Sequence, residues 1–304
     1  MVEDKKRVGI LRGGMGDYYE TSLHEGGDII LYLMENLSDK IKPIDVLIDR
    51  EGIWHVGGIP VESSDLKDKV DVIWNATHLS FSNILENFSI PNVGGLTHSL
   101  SSGSVRSILQ DEIKSIGIKM PKHIVLPLYQ EDFDGPIEKY SIKKAKEVFE
   151  KFSSPWIVKS FTSDLNMGVH IAKTFGELVD AIEDGVNHKK SILVEELIEG
   201  KEAQVHTVSN FRGSDIYAFP PGNFSSIEKE KLIDFAKNLH KHLGASSYLK
   251  SNFILDLKKG IHLKNIELSP QFKQNSHFNE SCEAVGAKID DVILHILENA
   301  RNIE

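Results

Sequence analysis

The chain has 304 residues, a formal net charge of −10 at neutral pH, 40% apolar and 26% charged residues, and one cysteine, Cys282. That length suits two or three compact domains or one large layered one. The negative balance argues against non-specific binding to nucleic acid or an acidic membrane, because phosphate-rich partners need a basic surface. A single cysteine excludes a disulfide within the chain and fits a reducing compartment; with no base identified beside it, the thiol reads as helix packing. The opening residues lack the apolar stretch of a signal peptide. No apolar run approaches the ~18–20 residues of a membrane span, so the expectation is a cytoplasmic protein with no membrane or nucleic-acid partner.

In chain order, Val8-Gly9-Ile10-Leu11 reads as a short buried strand ended by the turn Gly13-Gly14-Met15-Gly16. Ile29, Ile30, Tyr32, Leu33 and Leu37 then recur at helical spacing. Pro43–Asp49 and Val70–Asn75 are the next strands. Strand, glycine turn, helix, strand is the pattern of a parallel α/β layer, whose ligands sit outside the carboxyl ends of the strands. The turn lacks the G-x-G-x-x-G spacing of a dinucleotide loop and reads as structural. A helix is expected from about Ser104 to Ile116, with Gly117 as its stop. Glu138–Lys151 is Lys/Glu-rich and reads as a solvated helix. Ser154–Lys159 is a strand, Phe175–Ile182 a helix, and Ser191–Ile198 a strongly apolar strand. Glu202–Asn210 and Asp215–Phe219 pair as neighbouring strands. Ser225 with Glu228 has capping-box spacing for a helix that Gly244 ends. Phe253–Leu255 and Ile261–Leu263 form a hairpin, and a helix with Ile289, Val292, Ile293, Ile296 and Leu297 on one stripe closes the pattern.

Three stretches carry candidate chemistry. Lys159 ends a buried strand and precedes the polar loop Thr162–Gly168, a placement that suits phosphate oxygens and equally a surface lysine. Glu195 and Glu196 end an apolar strand and Glu202 follows. Such a stretch offers backbone groups to an adenine edge and a carboxylate to ribose, or is simply a solvated strand end. KNIELSPQF ends a strand with Asn265 and Glu267 two residues apart, hence on one face. It is a metal site, the remains of one, or a polar strand end.

The opening VGILRGGMGDYYETSLHEG, the segment PWIVKSFTSDLNMGVHIAK, the segment ILVEELIEGKEAQV, and SSYLKSNFILD with IHLKNIELSPQF follow one another along almost the whole chain. Together they resemble the D-alanine–D-alanine ligases of the ATP-grasp superfamily. The resemblance implies an α/β, ATP-grasp fold: an N-terminal parallel α/β domain on the substrate side (1–98), a central domain with a lid loop (99–191), and a C-terminal domain (192–304), the last two enclosing a nucleotide cleft. It implies ATP with Mg²⁺, a small-molecule substrate (D-alanine or another small amino acid), a homodimer, and a place in peptidoglycan precursor synthesis. Carried over by position, Lys159 is a phosphate contact, Glu195, Glu196 and Ile198 the adenine edge, and Glu202 the ribose carboxylate. Glu20 and Ser22 match the second glutamate and the serine of the N-terminal motif. Lys250 stands where the family has an arginine that stabilises the transferring phosphoryl oxygens. The metal-ligand positions are Asn252, Asn265 and Glu267.

The departures cluster. The family's Asp, Glu and Asn metal ligands become Asn252, Asn265 and Glu267, so two carboxylates fall to one. Mg²⁺ favours oxygen ligands in near-octahedral geometry, and an amide oxygen supplies no neutralising charge. The first motif glutamate is Tyr18, a histidine- and glycine-rich segment becomes Asn75-Ala76-Thr77-His78-Leu79, and an early ATP-contacting lysine becomes Ser104, with Arg106 close by. The lid loop lacks its paired serines, Gln271 replaces the glycine after Ser-Pro, and Phe278 replaces a serine near the second substrate. Phe211–Pro221 is too short for the loop that closes over the active site. The chain thus reads as an ATP-dependent carboxylate–amine ligase acting through an acylphosphate. The alternative is a catalytically degraded ATP-grasp protein that serves as a binding or regulatory module. A non-nucleotide α/β binding protein explains the layers but not Lys159, Glu195 and Glu202 together.

Overall fold

The computed structural model describes residues 5–16, 18–77, 81–95, 109–110, 113–129, 133–161, 167–271 and 276–300. The chain divides into two compact units: residues 1–119, 202–253 and 263–304 form the first, and residues 120–201 and 254–262 the second.

The first unit opens with a six-stranded sheet in the order β4-β3-β2-β1-β5-β6. Its strands are β1 (Lys6–Gly13), β2 (Ile41–Ile48), β3 (Trp54–Val56), β4 (Ile59–Val61), β5 (Val72–Asn75) and β6 (Asn92–Val93). β1 runs parallel to β2 and β5, with Val8 opposite Pro43 and Val72. A parallel neighbour requires a crossover, which the helix Tyr19–Asn36 supplies between β1 and β2. Val8 and Ile10 face one core with Ile29 and Leu33 of that helix, while Leu11, Val46 and Ile73 face a second. This two-sided burial explains the unbroken apolar run of β1. The glycine turn is required by its backbone: Gly13 has φ of 87°, and a Cβ there would lie 2.2 Å from the Ile48 carbonyl.

The second unit holds an antiparallel sheet, β7-β10-β8-β9, built from β7 (His123–Leu126), β8 (Trp156–Ser160), β9 (Val169–Ala172) and β10 (Ile192–Glu196). The helices Ile137–Lys151 and Phe175–Asn187 pack with it into one core around Trp156, Val158, Ile182 and Val194. The first of these helices is not the solvated rod expected: Tyr140, Ser141, Lys144, Ala145 and Val148 are buried. A lysine tolerates that position because its alkyl stem packs while the ammonium reaches Glu147 at 3.0 Å. The second helix runs on to Asn187 and begins with a capping box of Thr174 and Glu177.

The remaining strands, β11 (Lys201–Ser209), β12 (Ile216–Ala218), β13 (Tyr248–Asp256) and β14 (Gly260–Glu267), form a sheet in the order β12-β11-β13-β14. The helix Ser226–Leu243 has the expected box of Ser225 and Glu228, and Gly244 ends it in the left-handed conformation at φ 59°. Cys282 is buried in the helix His277–Ala284, and burial pushes its thiol pKa up to about 12. It is inert packing at neutral pH. Of the helix expected from Ser104 to Ile116, only 109–110 and 113–116 are described; 109–110 and 113–115 are helical and Ile116 is already in the turn. No helix among the described residues is long and apolar enough to cross a membrane.

Candidate functional site

Strand alternation puts Lys250 and Asn252 on one face of β13 and Asn265 and Glu267 on one face of its neighbour β14. Lys250 Nζ donates to both Glu267 oxygens, at 3.1 and 3.2 Å, and Asn252 Nδ2 donates to Glu267 Oε1 at 2.9 Å. The Lys250 side chain is 8% exposed and that of Glu267 31%. Asn252 Oδ1 is buried without a hydrogen-bond partner among the described residues. Glu267 thus accepts from two N–H donor groups at the edge of a larger space.

That space is a cavity of about 780 Å³, lined among others by Tyr18, Glu25, Tyr32, Asn75, Thr77 and Glu267. Its size falls within the ~300–1,000 Å³ typical of small-molecule sites. Tyr18 Oη donates to Glu25 Oε2 at 2.7 Å. Partial desolvation raises the Glu25 pKa, Tyr18 opposes that, and the charges of Glu267 and Asp28 add to it. Asn75 builds the wall opposite: its Oδ1 accepts from Thr77 N at 2.9 Å and Thr77 Oγ1 at 2.6 Å, and its Nδ2 reaches Ser82 Oγ at 3.1 Å. Trp74 Nε1 donates to Ser269 Oγ at 2.9 Å and fixes the segment after β14.

Glu20 and Ser22 do not line this cavity. Glu20 is exposed and accepts from Arg50 Nη2 at 2.6 Å. Ser22 is fully buried, and its Oγ accepts from Gly13 N at 2.9 Å. It ties the crossover helix to the glycine turn at the end of β1.

Within the second unit, antiparallel β8 and β10 bring Lys159 Nζ to 2.6 Å from Glu195 Oε2. Glu195 is 4% exposed. Glu196 accepts from Lys259 Nζ at 2.5 Å, and its own N–H reaches the Lys122 carbonyl at 2.8 Å. Burial works to raise the Glu196 pKa, but the hydrogen bond and charge of Lys259 prevail and hold it low. Ile198 is buried at 5% exposure. Lys159, Glu195, Glu196 and Ile198 therefore belong to one unit. In the first unit, Glu202 is exposed and paired with Lys264 at 2.7 Å. Ser104, Arg106, His78, Leu79 and loop residues 162–166 lie outside the described residues. The segment after β11 is a tight turn, with Asn210 N on the Asp215 carbonyl at 2.8 Å. Phe278 is core, edge-on to Phe219 and Tyr248.

A family model for the "D-ala D-ala ligase C-terminus" matches residues 113–215. The D-alanine–D-alanine ligase of Carboxydothermus hydrogenoformans is 23% identical over 96% of this chain and 97% of its own length. The solved D-alanine–D-alanine ligase of Coxiella burnetii superposes with a TM-score of 0.73 at 17% identity, covering 97% of this chain and 95% of the other. The chain has an ATP-grasp fold and resembles the D-alanine–D-alanine ligases. The Bacillus anthracis D-alanine–D-alanine ligase, solved in complex with ATP, superposes at a TM-score of 0.65 and 20% identity over 97% of this chain and 96% of the other.

The ion implied by this resemblance is Mg²⁺, and the donor set at Glu267 does not fit it. One carboxylate is present and a lysine already neutralises it. A dication ~4 Å from an ammonium is repelled by about 8 kcal/mol at an effective dielectric of ~20, twice the figure for two unit charges. The Asn252 amide turns its nitrogen, not its oxygen, to the carboxylate. Among the described residues, no group of three or more His, Cys, Asp or Glu side chains converges to hold a metal.

Sequence reasoning missed Glu25, Tyr32 and Thr77 as cavity residues. Glu25 and Tyr32 follow Tyr18 at seven-residue spacings along the crossover helix, a signal that was available. It also missed a buried relay beneath Lys250. His206 Nδ1 lies 2.7 Å from Tyr248 Oη, and His206 Nε2 lies 2.9 Å from His277 Nδ1. Burial first, then the neighbouring charges including Lys250, lowers both histidine pKa values.

Proposed function

We propose that the chain is a D-alanine–D-alanine ligase-like, ATP-dependent carboxylate–amine ligase acting on a small amino acid. A carboxylate oxygen of the first substrate attacks the γ-phosphorus of ATP, the bond to the bridging oxygen breaks, and ADP leaves. The acylphosphate carbonyl then takes the amine of the second substrate, loses phosphate and sheds a proton. The observation that carries this reading is Lys159 near the end of β8, held by Glu195 of β10, the strand that also supplies Glu196 and leads into Ile198. In this reading Lys159 contacts phosphate, Glu195, Glu196 and Ile198 present the adenine edge, and Glu202 takes the ribose. Lys250 supplies positive charge for the phosphoryl oxygens. Glu20 and Ser22 act by holding the glycine turn and its neighbouring loop. The three-part division at 98 and 191, a homodimer and a cytoplasmic setting belong to the same reading.

The second reading, a binding or regulatory ATP-grasp module, is favoured by the Lys250–Glu267 closure and by the short turn after β11. One experiment separates them. The protein is titrated with a non-hydrolysable ATP analogue by calorimetry, then incubated with ATP and a panel of D- and L-amino acids while ADP is followed. Amino-acid-dependent ADP release supports the ligase. Analogue binding with no release across the panel supports the module. No analogue binding removes both.

A further inference from the structure

We propose that the Lys250 ammonium stands in for the divalent cation at Glu267, so that this site carries a built-in cation and takes up no Mg²⁺. Three observations carry it. Lys250 Nζ bridges both Glu267 oxygens, the two atoms a metal would use. Asn252, the second ligand position, donates to the same carboxylate through Nδ2, an orientation that matches a carboxylate neutralised by N–H groups and opposes one shared with a metal. Lys250 is held among buried neighbours, with Asn252 following two residues on along the same strand face, so the ammonium is placed by the fold and is not a loose surface charge.

An ammonium differs from a magnesium ion in what it offers. It is singly charged, needs no coordination shell to be completed, and presents directed N–H donors. An anionic group reaching the cavity at Glu267 therefore meets a carboxylate whose charge the ammonium behind it already balances. A nucleotide bound there has no need of a metal bridge to the protein.

The test uses the full chain. Mn²⁺ is titrated against the protein without nucleotide, following the paramagnetic resonance signal of the free ion. The wild type is expected to show no site tighter than about 1 mM, the weak end of oxygen-ligand sites. Lys250→Met is expected to gain one, and Lys250→Met with Glu267→Gln to lose it again. Uptake by the wild type that Glu267→Gln abolishes overturns the proposal, as does a folded Lys250→Met that takes up none. A second measurement needs no variant: affinity for a non-hydrolysable ATP analogue in EDTA against the same in Mg²⁺. This arm rests on the nucleotide reading above. Affinities within about twofold support the proposal, and a tenfold or greater loss in EDTA, about 1.4 kcal/mol, overturns it. Absence of binding in both buffers counts against the nucleotide reading, and the Mn²⁺ titration then decides the cation proposal by itself.

Discussion

Lys250 and Glu267 lie on neighbouring strands with the ammonium 3.1 and 3.2 Å from the two carboxylate oxygens, the lysine almost wholly buried and the glutamate partly open. Removing the carboxylate strands the charge that the fold encloses. Glu267→Ala is expected to cost about 3 kcal/mol, because an unpaired buried ammonium and an unpaired Asn252 N–H remain. Glu267→Gln keeps an acceptor and is expected to cost about half as much. Urea unfolding of the two variants beside the wild type reads the difference. Equal costs would show that charge is not what the site holds.

Ser22 and Glu20 separate by the same logic. Ser22→Ala leaves the Gly13 N–H buried without its acceptor and is expected to cost about 1–2 kcal/mol. Glu20→Gln breaks an ion pair with both partners well exposed and is expected to change stability by less than about 0.5 kcal/mol. Thermal unfolding distinguishes them; a Glu20 effect as large as that of Ser22 would contradict the placement described.

His240 sets a pH dependence. Thr207 Oγ1 gives its single proton to the Leu249 carbonyl at 3.0 Å, so His240 Nδ1, 2.8 Å away, is the donor to that hydroxyl. Nε2 then accepts from Ser209 Oγ at 2.9 Å. The ring is held neutral, and burial lowers its pKa to about 4, with a hydrogen bond to the Ala245 backbone opposing. A histidine whose folded pKa is depressed binds protons first in the unfolded chain. Its contribution is complete above the unfolded value of ~6.5 and is lost as pH falls toward about 4. His206 and His277, also lowered, act in the same direction. The urea midpoint is expected to fall between pH 7.5 and pH 5, and to fall less in His240→Gln.

Lys159 provides the sharpest check on nucleotide binding. Lys159→Met removes a cation at a strand end while keeping the apolar stem. It is expected to weaken binding of a non-hydrolysable ATP analogue about tenfold, the scale of one charge-assisted contact. Retained affinity would mean that Lys159 plays no part in holding nucleotide.

Much of this was readable beforehand where one local rule decided the outcome. The capping box of Ser225 and Glu228, the left-handed Gly244 and the apolar run of β1 each depend on a few neighbouring residues. The candidate site was legible in its residue types, since Lys250 and Asn252 of β13 do meet Glu267 of β14. What they do to one another was not. Whether Glu267 faces a metal or a lysine depends on two strands being neighbours and in a given register, which no single segment states. Ser22 shows the reverse error: a motif position reads as chemistry until its hydroxyl is seen spent on Gly13. Lys144 shows a third, since charge count along Ile137–Lys151 hides how much of a lysine is hydrocarbon.

The first unit is discontinuous, and that orders events during synthesis. Val8 and Ile10 of β1 share their core with Phe278, Cys282, Val292 and Ile296, and Lys6 Nζ donates to the Leu297 carbonyl at 2.9 Å. At ~5–20 residues per second, the ribosome takes some ~15–60 s between making the two halves of that core. The four strands of the second unit, by contrast, are complete once Glu196 has emerged. The middle of the chain can thus form its sheet while the apolar face of the first strand is covered only by the helix Tyr19–Asn36. A nascent chain stalled before the helix Ile289–Glu298 leaves its oldest residues, not its newest, as the segment that chaperones must shield.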